Sequence, residues 1–156
     1  NIKNTPPLVA VGIFILFEEK VKHNKNINNK FIMKIGKHFE FEASHVLPKH
    51  PGKCSRMHGH SYKLTIVIEG DIDEHTGMVM DFASVSDIVK EEIISKYDHR
   101  HMNDFFENPT AELMAKTFFN AISEKLAIKT DGKVKLNSLR LYETSNSFAE
   151  ARENDT

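Results

Sequence analysis

Between His58 and Glu69 the residues alternate without a break: Tyr62, Leu64, Ile66 and Ile68 fall on one side and the largely polar set Lys63, Thr65, Val67 and Glu69 on the other. A strict period of two marks a strand with one face on a core. It also fixes register, because a slip by one residue would turn the whole apolar set to water. Extended backward, the same parity carries His58 and His60 onto the apolar face, so that two imidazoles project side by side from the start of the strand. An earlier stretch, Lys34 to Leu47, alternates in the same way, with Phe39, Phe41, Ala43 and His45 on one side and Glu40, Glu42 and Ser44 on the other. That strand also finishes, on its inner side, in a histidine.

Three neutral imidazoles bind a zinc ion well and leave its fourth position open, the arrangement of catalytic rather than structural sites. The chain has nine histidines, so spacing rather than number carries the argument. A bare His-x-His pair is more often two hydrogen-bonded histidines than a metal site; His45 on the inward parity and a nearby cysteine shift the balance. Cys54 fits two readings, a fourth ligand closing a structural site or a separate reactive thiol. Its neighbours Lys53, Ser55 and Arg56 argue against a buried core position, and adjacent cations favour the thiolate. A thiolate can act as nucleophile or proton acceptor, and Asp98-His99, in which a carboxylate orients an imidazole, could support it from a loop. Glu143 has the parity of Leu139 and Leu141, and an inward carboxylate needs a partner. An amino-pyrimidinone edge, with two parallel N–H donors, would satisfy both oxygens; a solvated strand end, or a pair with Arg140, would also explain this glutamate.

The remaining segments place these groups. Pro48 to Lys53 is a loop. Turn residues between Gly70 and Gly77 lead to a short expected strand at Met78 to Met80. Asp81 stands where a helix N-cap belongs, and Phe82, Val85, Val89, Ile93 and Tyr97 follow at helical spacing. A second helix opens near Asn108-Pro109-Thr110, with the proline expected in its first turn, and carries Ala111, Met114, Ala115, Phe118, Ile122 and Leu126 as its stripe. Asp131-Gly132 is a turn, and Val134 to Tyr142 is a last strand whose alternation changes phase near Asn137-Ser138, as a bulge would make it do. The order describes an antiparallel α+β layer. A sheet this small keeps open edges and one incompletely covered face, and self-association would hide both.

At 156 residues, 40% of them hydrophobic, the chain supports one core of ordinary size. We expect a single domain over 33–156, with 1–32 as an N-terminal extension, disordered or not native, rather than an extra strand or helix. In that extension an apolar run from Pro7 to Phe17 is too short to cross a bilayer, no convincing secretory signal surrounds it, and an Asn/Lys-rich stretch follows. Met33 is the expected natural start. A net charge of −1 gives no reason to expect nucleic acid or a membrane as partner. A single cysteine permits no internal disulfide and suits a reducing cytoplasm.

Six segments together resemble the family of 6-pyruvoyltetrahydropterin and 6-carboxytetrahydropterin synthases: Phe41-Glu42-Ala43-Ser44-His45, Cys54-Ser55-Arg56-Met57-His58-Gly59-His60, Thr76-Gly77-Met78-Val79-Met80-Asp81-Phe82, Asp98-His99, Asn108-Pro109-Thr110-Ala111-Glu112 and Tyr142-Glu143-Thr144. The resemblance implies a T-fold, a four-stranded antiparallel sheet with two helices on one face, assembled as trimers stacked into hexamers with active sites between subunits. It implies zinc on His45, His58 and His60, a catalytic Cys54 with Asp98 and His99 as its relay, and Glu143 as the pterin anchor. Three residues between the cysteine and His-Gly-His resemble the bacterial 6-carboxytetrahydropterin synthases of the queuosine (7-deazaguanine) pathway. The tetrahydrobiopterin branch has a longer interval, and a third branch has a glutamate that does not occur between Cys54 and His58. The implied reaction converts 7,8-dihydroneopterin triphosphate to 6-carboxytetrahydropterin, acetaldehyde and triphosphate. The alternatives are the 6-pyruvoyl sister activity and a zinc-stabilised binding module without turnover.

Overall fold

The computed structural model describes residues 31–153. The expectation for the N-terminal extension falls almost wholly outside them.

Strand β1, Met33–His45, pairs antiparallel with β2, His58–Gly70, in an unbroken register from Met33 opposite Gly70 to His45 opposite His58. The inner row of β2 is sealed, Tyr62, Leu64, Ile66 and Ile68 being each 1% exposed or less. At about 2 kcal/mol for each such side chain, that row alone makes a one-residue slip prohibitive. Helix α1 spans 82–97: an α segment Phe82–Val89, a π segment Lys90–Ile94 and a last turn Ser95–Tyr97. Asp81 caps it, its carboxylate accepting from Ala83 N at 3.1 Å. Strand β3, Arg100–His101, follows, and then helix α2, Ala111–Thr130. Strand β4, Val134–Thr144, and strand β5, Ser147–Arg152, complete the chain.

The sheet runs β3-β1-β2-β4-β5, all neighbours antiparallel except β3 against β1. Buried residues of both helices join those of β1, β2 and β4 in one apolar cluster. This is the expected α+β layer, with five strands where four were expected. Met78 to Met80 is not a strand, and Ser147–Arg152 is one. Strand β5 escapes a reading of the sequence because Ala149, Glu150 and Ala151 are weak strand formers, held here by pairing along β4. Phe82, expected in the apolar stripe of α1, is 49% exposed; it packs beside Lys37, whose Nζ donates to its carbonyl at 3.2 Å and lies 6.0 Å from its ring. The phase change in β4 is a bulge, Ser138 pairing with Val67 and Leu136 with Ile68, so Asn137 is the extra residue. Beyond it Leu139 and Leu141 are sealed in the core, and Glu143 follows with the same parity.

Helix α2 is capped by Thr110, whose hydroxyl accepts from Leu113 N at 3.3 Å. Pro109 therefore stands before the cap rather than in the first turn, and its carbonyl is left to accept from something outside the helix. Among the described residues no helix is long and apolar enough to cross a membrane.

Candidate metal and pterin site

The β1–β2 register builds a histidine cluster at one end of the sheet. His45 lies directly opposite His58 on the inner face, and His60 lies two residues along the same strand. The three ligand nitrogens lie within 4.8 Å of one another. Their tautomers follow from their neighbours, because a carbonyl only accepts: His45 Nδ1 faces Pro109 O at 2.9 Å and His58 Nδ1 faces Arg56 O at 2.8 Å, so each carries its proton on Nδ1. Both Nε2 atoms are then bare, and they confront each other across 3.0 Å. Two lone pairs at that distance repel unless a cation lies between them. A proton serves poorly, because burial of His45 pushes its pKa down, against the opposing pull of Pro109 O and Glu143. A metal ion serves well: nitrogens bound to one four-coordinate ion lie roughly 3.3 Å apart. The donor set therefore fits a divalent ion, with the imidazoles of His45 and His58 oriented by carbonyl acceptors behind them.

Glu143 reaches toward this cluster from the end of β4. Its Oε1 is 3.8 Å from His45 Nε2 and, though buried, has no hydrogen-bond partner among the described residues. Among the described residues it makes no ion pair with Arg140, whose Nε donates to Glu150 Oε2 at 2.8 Å. Cys54 lies in a single 3-10 turn, Lys53–Ser55, held by Leu47 N donating to Cys54 O at 2.9 Å. It is a half-buried free thiol outside the ligand cluster, and with His50, Thr110, Glu112 and Glu143 it lines a cavity of about 380 Å³.

Asp98 and His99 lie elsewhere. Asp98 Oδ1 accepts from Glu42 N and from His99 Nδ1, both at 2.9 Å, and His99 N donates to Glu42 O at 2.6 Å. Glu42 N–H and, after it, His99 hold the Asp98 carboxyl below its ordinary range. His99 takes a left-handed backbone, φ 58°, a conformation that costs energy in a non-glycine residue. His99 opens on a second cavity of about 580 Å³, lined also by His60 of the histidine cluster and by Glu42, Ser61, Arg100 and His101. One chain thus brings the three histidines and Glu143 together at one end of the sheet, with Cys54 and Glu143 on one cavity and His60 and His99 on another.

The family model for 6-pyruvoyl tetrahydropterin synthase matches residues 34–154. The chain belongs to that family. Among curated relatives, the 6-carboxy-5,6,7,8-tetrahydropterin synthase of Haemophilus influenzae is 36% identical over 141 residues, covering 78% of this chain and all of the relative. That of Synechocystis is 36% identical over 121 residues, covering 74% and 89%. The solved 6-pyruvoyl tetrahydropterin synthase of Caenorhabditis elegans superposes with a TM-score of 0.69 at 22% identity, over 80% of this chain and 97% of that one. At that identity the likeness establishes the fold.

Against the family pattern, four contributors to the site went unrecognised in the sequence. The carbonyls of Pro109 and Arg56 are main-chain groups, and only the break before helix α2 hinted that Pro109 O would be spare. Asn103 grips the residue after His45, Oδ1 accepting from Val46 N at 2.8 Å and Nδ2 donating to Val46 O at 2.9 Å. His50 enters the thiol's cavity because the Pro51-Gly52 turn folds it back, its Nδ1 accepting from Gly52 N at 2.9 Å.

Proposed function

We propose that this member of the family is a zinc-dependent lyase, a 6-carboxytetrahydropterin synthase. It converts 7,8-dihydroneopterin triphosphate and water to 6-carboxytetrahydropterin, acetaldehyde and triphosphate, a step toward 7-deazaguanine products such as queuosine. The observation that carries the reading is the pair of bare Nε2 atoms of His45 and His58, 3.0 Å apart in a cluster that does not include the half-buried thiol of Cys54. The names of the curated relatives favour the 6-carboxy product over the 6-pyruvoyl product.

Zinc held by His45, His58 and His60 would supply Lewis acidity to the substrate's side-chain oxygens, acidifying the neighbouring C–H. Cys54 Sγ takes a proton from that carbon. Glu143 accepts the paired N–H donors of the pterin ring and so fixes the reacting carbon against the thiol. His99, oriented by the Asp98 carboxylate, returns protons, and it does so to a neighbouring copy, since the thiol and His99 line separate cavities within one chain. The working form is then an oligomer, a hexamer of stacked trimers, whose sites lie between subunits.

Incubation of the purified protein with 7,8-dihydroneopterin triphosphate, with the product identified by mass spectrometry, tests the reading. We expect 6-carboxytetrahydropterin and acetaldehyde in equal amounts. Accumulation of 6-pyruvoyltetrahydropterin as the end product assigns the sister activity, and no turnover with metal bound assigns a binding module.

A further inference from the structure

The Glu143 carboxylate has a second partner within reach. Its Oε1 is buried and unpartnered among the described residues, which an ionised carboxylate does not tolerate in a protein interior. Arg140 Nε donates to Glu150, and His45 Nε2 lies 3.8 Å from Oε1. That nitrogen carries a lone pair, because its ring proton is on Nδ1 facing Pro109 O. An oxygen lone pair and a nitrogen lone pair therefore approach each other, as the two Nε2 atoms of His45 and His58 do. The remedy is the same cation.

We infer that Glu143 Oε1 is a fourth ligand of the ion in the substrate-free enzyme, and that binding of the pterin ring draws it away. The inference rests on the metal-dependent pterin synthase reading. Ligand atoms on one four-coordinate ion lie roughly 3.3 Å apart; Oε1 stands 3.8 Å from His45 Nε2 but outside the group of three nitrogens that lie within 4.8 Å of one another, so the carboxylate must swing by about 1.5 Å or more to join the ion. The backbone permits such a swing: Tyr142 pairs with Phe148 and Thr144 with Ser147, leaving Glu143 as the extra residue of a bulge, outside the regular ladder. The side chain is 26% exposed, so part of it meets the cavity that Cys54 lines. Two N–H donors arriving in that cavity compete with the ion for the same carboxylate. Seating of the ring and opening of the fourth position thus become one event, and a resting site without substrate stays closed to idle chemistry.

Cobalt(II) loaded into the metal-free protein reads the ligand set through its d–d absorption. Wild type, Glu143→Gln and Glu143→Asp are compared with His58→Ala, alone and after addition of neopterin, with circular dichroism as the check on folding. We expect Glu143→Gln to bind cobalt with an altered band and to lose it to a competing chelator about tenfold more readily than wild type. Neopterin should shift the wild-type band and leave that of Glu143→Gln unmoved. Should Glu143→Gln fail to fold, Glu143→Asp, which keeps the charge and shortens the reach, should show the altered band. Identical bands and identical chelator competition in wild type and the folded Glu143 variants overturn the inference while leaving the three-histidine site standing. If wild type binds no cobalt, or His58→Ala binds it equally well, the underlying reading falls and the inference falls with it.

Discussion

The main-chain N–H of Glu42 donates to Asp98 Oδ1 at 2.9 Å, tying the dyad to β1 only three residues before that strand ends in His45. Glu42 holds the dyad through its main-chain N–H and C=O, which lie in the plane of the sheet, while His45 projects its side chain from the inner face, so the same few residues of β1 anchor the dyad at the strand's edge and present a metal ligand from its face. The bond also holds the Asp98 pKa below its ordinary value of 3.8. A carboxylate depressed in the folded state stabilises the protein above the unfolded value, and that contribution is lost as pH falls through the folded value. Asp98→Ala should therefore melt below wild type by a constant margin from neutrality down to about pH 4 and converge with it in stronger acid. Thermal melts across that range check this, and a margin that persists unchanged into strong acid contradicts it.

Cys54 and His58 should separate cleanly under substitution. Removing one of three ligands should weaken metal retention by about a hundredfold or more, whereas Cys54→Ala should leave metal content at its wild-type level and abolish turnover. Metal analysis after dialysis, paired with product formation by each variant, decides the matter. Loss of metal from Cys54→Ala would make the thiol a ligand.

Strand parity makes much of this site legible in the sequence alone. Period-two alternation put His45, His58 and His60 on one face, and the phase break at Asn137 announced the bulge beyond which Glu143 faces the cluster. What remained hidden depends on contacts between distant segments. Asn103 reads as an ordinary loop residue until β3 pairs alongside β1 at Ala43 and Ser44 and brings its amide to Val46. The separation of Cys54 from His99 was invisible for the same reason, since sequence lists functional groups without saying which cavity each one faces. Strand β5 lacked a pattern of its own, being specified by the edge of β4.

Asn103 should prove to be a support for the metal ligand next to its grip. Its amide satisfies both the N–H and the carbonyl of Val46, so Asn103→Ala leaves two half-buried main-chain groups unmatched. The expected loss is about 2 kcal/mol, with Asn103→Asp, which keeps the acceptor alone, falling between. Denaturant unfolding measures the loss. Chelator competition should show weaker metal retention in the same order, and unchanged metal affinity would limit Asn103 to a structural role.

Gly59, between His58 and His60, offers a test in which two ordinary rules give opposite signs. A strand interior favours alanine over glycine by roughly 0.5–1 kcal/mol, which predicts that Gly59→Ala stabilises. A Cβ at this position, however, would stand 3.1 Å from Ala43 O, a main-chain atom of the paired strand two residues before His45. Flexible side chains yield to such a contact at little cost, but a ladder carbonyl moves only with its strand. Overpacking of this kind costs about 1 kcal/mol or more, which is enough to reverse the sign. Gly59→Ala should therefore melt below wild type, and because any relief displaces β1 relative to β2, it should also part His45 from His58 and weaken metal retention. A variant that melts higher and holds its metal as wild type does would show that the strand pair yields freely here, and that the 3.0 Å approach of the two Nε2 atoms does not depend on the missing side chain.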